Sequence, residues 1–187
     1  MTRTFVAVFP PPEIVESLTA LLPELHAAIP DGVKWVEREN LHMTVRFFGD
    51  LIDKKVRQAI ETTEAFGAAH APVEAALGGI GAFPSLARPR VFWIGMREGG
   101  ARLESLAADL DMAYRRSGFG RADKPFRAHL TLGRVREGSR VDGGRIASLK
   151  YESSMFILDR ISVMKSQLTP RGPVYTTLAE IPLSIRA

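Results

Sequence analysis

His42-Met43-Thr44-Val45-Arg46-Phe47-Phe48 and, further along, Pro125-Phe126-Arg127-Ala128-His129-Leu130-Thr131-Leu132-Gly133 are two β-type runs with the same internal pattern, a histidine and a threonine separated by one apolar residue. Successive side chains of a strand point to opposite faces, so each His and Thr project together with Cα atoms about 6.6 Å apart. Each strand can therefore present an imidazole and a hydroxyl to one small ligand. Strict alternation places Met43, Val45 and Phe47 on one face of the first run, and His42, Thr44, Arg46 and Phe48 on the other. With four histidines in the whole chain, a repeated His-x-Thr inside two β-type runs rarely arises by chance.

Outward from these runs the chain reads as alternating strands and helices. Thr4 to Phe9 is β-rich and stops at Pro10-Pro11-Pro12; Ile14, Leu18, Leu21, Leu22, Leu25 and Ile29 then recur at helical spacing until Pro30-Asp31-Gly32. Proline suits the first turn of a helix, where backbone N–H groups have no internal partner. A short extended piece, Val33 to Val36, precedes the first His run, which closes at Gly49-Asp50. A second helix spans Val56 to Phe66, opened by Asp53 and weakened by Gly67. Strands are predicted around Val73 to Ile80 and Val91 to Met96, joined by a loop containing Gly81, Pro84 and Arg88-Pro89-Arg90. Leu103, Leu106, Leu110 and Ala113 give a third helix ending near Ser117-Gly118. After the second His run come a turn from Gly138 to Leu149 and two long closing strands, Met155 to Leu168 and Val174 to Leu183. This order predicts an α+β fold in which two halves share one core.

The bulk properties narrow the function classes. A chain of 187 residues that is 45% hydrophobic can bury a sizeable core. Every apolar run is far shorter than the roughly 20 residues that span a bilayer, and Met1-Thr2-Arg3-Thr4-Phe5-Val6 lacks the features of a signal peptide, so a cytoplasmic protein is expected. The absence of cysteine removes disulfides, thiolate nucleophiles and the commonest zinc ligands. A formal net charge of +4 favours an anionic partner.

Two imidazoles on opposite sides of a phosphate meet the demands of phosphodiester cleavage. One proton must leave the nucleophile and another must reach the departing oxygen. A reference pKa near 6.5 lets one histidine act as base and the other as acid near neutrality. The threonine hydroxyls would then hydrogen-bond the charge-bearing phosphate oxygens. Arg127, two before His129, and Arg46, two after Thr44, fall on the reactive faces by counting, whereas Arg134 falls on the opposite face unless a bulge redirects it. Phe48, Phe126 and Tyr175 could stack on a nucleobase. His26 and His70 read as structural, and no Asp/Glu/His grouping has metal-ligand spacing, so no metal or other cofactor is expected.

At His42-Met43-Thr44-Val45 and His129-Leu130-Thr131-Leu132 the chain resembles the two-histidine phosphoesterase superfamily, defined by a repeated His-x-Thr/Ser-x motif. It is most similar to the RNA 2′,3′-cyclic phosphodiesterase (2′-5′ RNA ligase-like) family. Phe5-Val6-Ala7-Val8 near the start and the pattern Leu-His-x-Thr-x-x-Phe-x-Gly over 41–49 are typical of that family. Further similar pieces are Pro125 to Arg134, Ser166-Gln167-Leu168 and Gly172-Pro173-Val174-Tyr175; Ala128 stands where many members carry proline. The resemblance implies a single bilobal domain over 1–187, with two pseudo-symmetric lobes of mostly antiparallel sheet, helices outside and the active site in the cleft between them. It further implies metal-independent hydrolysis of RNA 2′,3′-cyclic phosphate ends to 2′-phosphomonoesters. His42 would be the proton donor, His129 the acceptor, Thr44 and Thr131 the phosphate holders, with Arg127, Arg46, Phe48, Arg134 and Tyr175 as substrate contacts. A monomer is expected. Ligation or cleavage of 2′-5′ or other cyclic phosphodiesters, and a non-catalytic RNA-end binding module, stay open as other readings.

Overall fold

The structure, a computed structural model, describes residues 1–170 and 172–184. The elements run β1 (Thr2–Val8), α1 (Pro12–Ala28), β2 (Val33–Trp35), a 3₁₀ turn (Arg38–Asn40), β3 (Met43–Leu51), α2 (Asp53–Gly67), β4 (Val73–Ser85), β5 (Arg88–Glu98) and α3 (Gly100–Arg116). They continue with β6 (His129–Val135), a 3₁₀ turn (Gly143–Ile146), β7 (Phe156–Leu158), β8 (Arg160–Thr169) and β9 (Gly172–Pro182). Two antiparallel sheets result, ordered β3-β1-β8-β9 and β2-β6-β5-β4-β7. The fold is α+β, as the residue pattern predicts.

Each sheet is completed by a strand from the other part of the chain. β2 leaves the N-terminal region to pair with β6, and β8 returns from the far end to pair with β1, with β9 pairing on β8 at the edge. The expected strand from Met155 to Leu168 is divided at Asp159: β7 belongs to the second sheet, on β4, and β8 to the first. The loop expected between the fourth and fifth strands is also strand, since β4 continues to Ser85 and β5 begins at Arg88. Gly81 in it serves packing rather than turning. A Cβ on Gly81 would collide with the Trp93 ring, so the ring can lie across the neighbouring strand only where the side chain is missing.

The helical faces supply the apolar cover. Leu18 and Leu25 of α1, Ala59 and Phe66 of α2, and Leu103, Leu106 and Leu110 of α3 are buried in one continuous core with Val6, Val8, Phe92 and Ile94 from the sheets. α2 packs on β1, β8 and β9, while α3 reaches β3, β4 and β5 and so touches both sheets. A buried hydrogen bond of 2.6 Å between the hydroxyls of Thr63 and Tyr114 ties α2 to α3. Burial holds the Tyr114 phenol far above its ordinary value.

Both His-x-Thr strands carry a bulge immediately after the threonine. In β3, Ala7 faces Thr44 and Val6 faces Arg46, leaving Val45 without a partner; Phe5 then faces Phe47 and Thr4 faces Gly49, leaving Phe48 as a second extra residue. In β6, Trp93 faces Thr131 and Phe92 faces Gly133, leaving Leu132 unpaired. An inserted residue moves every later side chain to the other face. Gly133 accordingly turns inward, where a Cβ would lie 2.6 Å from Cε3 of Trp35, and Arg134 turns outward.

Candidate active site

β3 and β6 come from different sheets yet approach one another, with Cα atoms within 8 Å. Their histidines sit at corresponding places at the strand starts, and their backbone surroundings match. His42 Nδ1 is 2.7 Å from the carbonyl oxygen of Asn40, and His129 Nδ1 is 2.7 Å from the carbonyl oxygen of Arg127. A carbonyl only accepts, so Nδ1 carries the hydrogen in both rings and Nε2 is left as the atom that exchanges protons. In His42 that atom is 2.9 Å from Oγ1 of Thr44. Thr44 can donate to the neutral ring, or accept from the protonated one.

Aromatic rings wall both imidazoles. Phe5, Phe9 and Tyr175 surround His42 with ring centroids at 5.2, 5.6 and 5.2 Å, the tyrosine edge-on at 86°. Phe83 and Trp93 stand at 5.0 and 6.4 Å from His129. Burial in these walls pushes the pKa of both imidazoles below 6.5; the carbonyl hydrogen bonds oppose the shift, and the positive charge of Arg134 adds to it. Arg134 thus acts on both rings at once. Burial also raises the Tyr175 phenol, against the charges of Arg134 and Arg3.

A cavity of about 400 Å³ opens here, lined by His42, Thr44, Thr131 and Arg134 at one end. The segment from Lys34 to Asn40 forms one wall, and Thr169 with Gly172–Tyr175 of the β8–β9 hairpin forms another. Both sheets therefore contribute to it. His42, Thr44, Thr131, Arg134 and Tyr175 are brought together around the cavity; His129 does not line it, but begins the strand that carries Thr131 and Arg134.

Three expected substrate contacts lie elsewhere. The bulge at Val45 turns Arg46 to the helix side, where it is 6% exposed, pairs with Asp111 and donates to the carbonyl of Gly120. Phe48 follows it inward, packing at 4.8 Å against Tyr114 and 5.0 Å against Phe119. Arg127 lies before β6 begins, and its exposed guanidinium turns to Glu104 of α3 at 3.6 Å. Its carbonyl, not its side chain, serves His129. Arg46 and Arg127 line a second cavity, about 420 Å³, beside α3. His26 lies against Trp35 and His70 stacks on Phe66, and neither lines the cavity. Phe126 packs partly buried against the core. Phe5, Phe9, Phe83 and Trp93 were not foreseeable as site residues, because only pairing across strands places them beside the imidazoles. Among the described residues no group of three or more His, Asp or Glu is placed to hold a metal, and no helix is long and apolar enough to cross a membrane.

Comparison with known proteins gives a consistent outcome. The sequence matches the family described as LigT like phosphoesterase twice, over residues 8–93 and 94–175. It is 37% identical over 182 residues to a protein of Archaeoglobus fulgidus named RNA 2′,3′-cyclic phosphodiesterase, covering 94% of this chain and 97% of that protein. A protein of the same name from Aquifex aeolicus is 31% identical, with 96% of each covered. A crystal structure from Thermus thermophilus superposes with a TM-score of 0.83 at 25% identity, covering 99% of this chain and 100% of that one. Escherichia coli LigT complexed with 3′-AMP shares the fold, with a TM-score of 0.75 at 24% identity and 98% of each chain covered.

Proposed function

Because the chain belongs to the LigT like phosphoesterase family, we propose that it hydrolyses 2′,3′-cyclic phosphate ends of RNA to 2′-phosphomonoesters, with His42 as proton donor and His129 as proton acceptor. The observation that carries this reading is the matched pair of imidazoles, each held through Nδ1 by a backbone carbonyl two residues earlier and each under the field of Arg134. Such a pair performs both proton transfers of an in-line displacement.

Water attacks phosphorus while Nε2 of His129 removes its proton. The new P–O bond forms as the P–O3′ bond breaks, and the protonated Nε2 of His42 delivers its proton to O3′. The 3′-hydroxyl is thereby freed and the phosphate stays on O2′. Thr44, Thr131 and Arg134 hold the non-bridging oxygens, where charge accumulates. The cavity beyond, walled by Trp35, Pro173 and Tyr175, falls within the usual 300–1,000 Å³ of ligand pockets and accommodates the terminal nucleoside. The donor role of His42 follows the family resemblance.

The test is turnover of nucleoside 2′,3′-cyclic phosphates with separation of 2′ and 3′ products. His42→Ala and His129→Ala are each expected to lower kcat by roughly 10²–10⁴-fold, the usual worth of positioned acid–base groups. Full activity in either variant, or a 3′-phosphate product, would overturn the reading. Wild-type activity is expected to survive EDTA, since two imidazoles supply both proton transfers.

A further inference from the structure

Phe47 is the phenylalanine of the Leu-His-x-Thr-x-x-Phe-x-Gly stretch, and the acid–base chemistry leaves it unused. Because Val45 is a bulge, Phe47 returns to the face of β3 that carries Thr44, directly across from Phe5. Phe5 in turn lies 5.2 Å from His42 and 5.0 Å from Tyr175. Along the strand Phe47 is three residues beyond Thr44, at most about 10 Å away. It is 46% exposed on the edge strand of its sheet, and the guanidinium of Arg3 lies 4.7 Å from its ring centre. Arg3 is on the same face, close enough for its charge to act on Tyr175.

An open ring beside a guanidinium, one side chain away from the reacting phosphate, has the chemistry of a single-stranded RNA contact. The ring offers a surface to a base of any identity, and the guanidinium offers donors to a backbone phosphate. The cavity that takes the terminal nucleoside lies against residues 34–40 and the β8–β9 hairpin, whose strand β9 is the opposite edge of the sheet from β3. From these placements we infer that Phe47 and Arg3 form a second nucleotide subsite, stacking the base and pairing the phosphate of the nucleotide on the 5′ side of the terminal one. The inference rests on the cyclic-phosphodiesterase reading and extends it from mononucleotides to RNA chains. It also states a preference: oligonucleotides bind more tightly than mononucleotides, with little discrimination by base at this position.

The experiment compares a nucleoside 2′,3′-cyclic phosphate with a short oligoribonucleotide bearing the same end, in the wild type and in Phe47→Ala, Phe47→Trp and Arg3→Gln. Phe47→Ala is expected to lower kcat/KM for the oligonucleotide roughly 5- to 150-fold, matching the loss of about 1–3 kcal/mol per stacked base, through KM rather than kcat. The mononucleotide value should stay within about twofold. Phe47→Trp should restore the oligonucleotide value, which a merely structural role for the phenylalanine would not allow, and Arg3→Gln should weaken its dependence on salt. Equal losses on both substrates, or none on the oligonucleotide, overturn the subsite. Fluorescence anisotropy with an oligonucleotide ending in a 2′-phosphate measures binding without turnover. A wild type that binds it through Phe47 but hydrolyses nothing would therefore sink the catalytic reading and leave the subsite standing.

Discussion

Each imidazole of the pair is held by a bond that leaves Nε2 as its open nitrogen, and each is buried among rings, which disfavours its charge. A consequence for pH follows from the sign of those shifts. The proposed mechanism needs one ring protonated and one neutral in the free protein, a population that peaks between the two pKa values, and both lie below 6.5. The kcat/KM profile for a nucleoside 2′,3′-cyclic phosphate is therefore expected to be a bell with its maximum on the acid side of 6.5; a maximum at pH 8 would contradict the burial of both rings. Arg134→Gln removes a positive charge that depresses both values, so the bell should move to higher pH while KM rises from the lost phosphate contact. The two His-x-Thr pairs were legible because a two-residue period puts both members on one face whatever else the strand does. The carbonyls of Asn40 and Arg127 were not, since a backbone acceptor carries no side-chain signature.

At the level of the strands, counting failed where pairing took over. Alternation from Thr44 sends Arg46 toward the reactive face, but an unpaired Val45 reverses it, and the same device after Thr131 rescues Arg134 for the cleft. Nothing in the identity of Val45 or Leu132 announces a bulge; the mismatch arises between two strands distant in sequence. Arg46 and Asp111 then form a buried ion pair beneath β3, with side chains 5% and 19% exposed. Asp111→Ala leaves the guanidinium buried and unpaired and should cost about 3–5 kcal/mol, or a fall in Tm of order 10 °C. Arg46→Met combined with Asp111→Leu should recover most of it, and should leave kcat on the mononucleotide near wild type, because neither residue lines the cavity at His42. Gly133→Ala tests the second bulge. Its new methyl group meets Trp35 and Val33 at 2.6 and 2.9 Å, an overpacking worth about 1–3 kcal/mol. Differential scanning fluorimetry should show the loss, and kinetics a raised KM as Arg134 shifts with its strand.

Across the whole molecule, the alternation of strands and helices was readable from hydrophobic period, and so were the three helices, whose buried apolar residues face one core. The exchange of strands between sheets was not, because β2 and β9 read as ordinary strands, β7 and β8 read as one, and only their partners reveal the crossing. That exchange binds the sheets to one another more firmly than the cleft between the two histidines suggests. A chain ended at Asp159 would reduce the first sheet to β1 and β3, and a two-stranded sheet is marginal on its own. Such a chain is expected to lose its cooperative unfolding transition by circular dichroism and to hydrolyse no cyclic phosphate, although it keeps both His-x-Thr motifs.

The same strand order sets a timetable during translation. His42 and His129 have both been polymerised well before β8 and β9, which supply Tyr175 and the remaining half of the first sheet. At 5–20 residues per second the interval from His129 to Pro182 lasts on the order of three to ten seconds. Throughout that interval a nascent chain carries both histidines of the proposed mechanism without the strands that complete their surroundings.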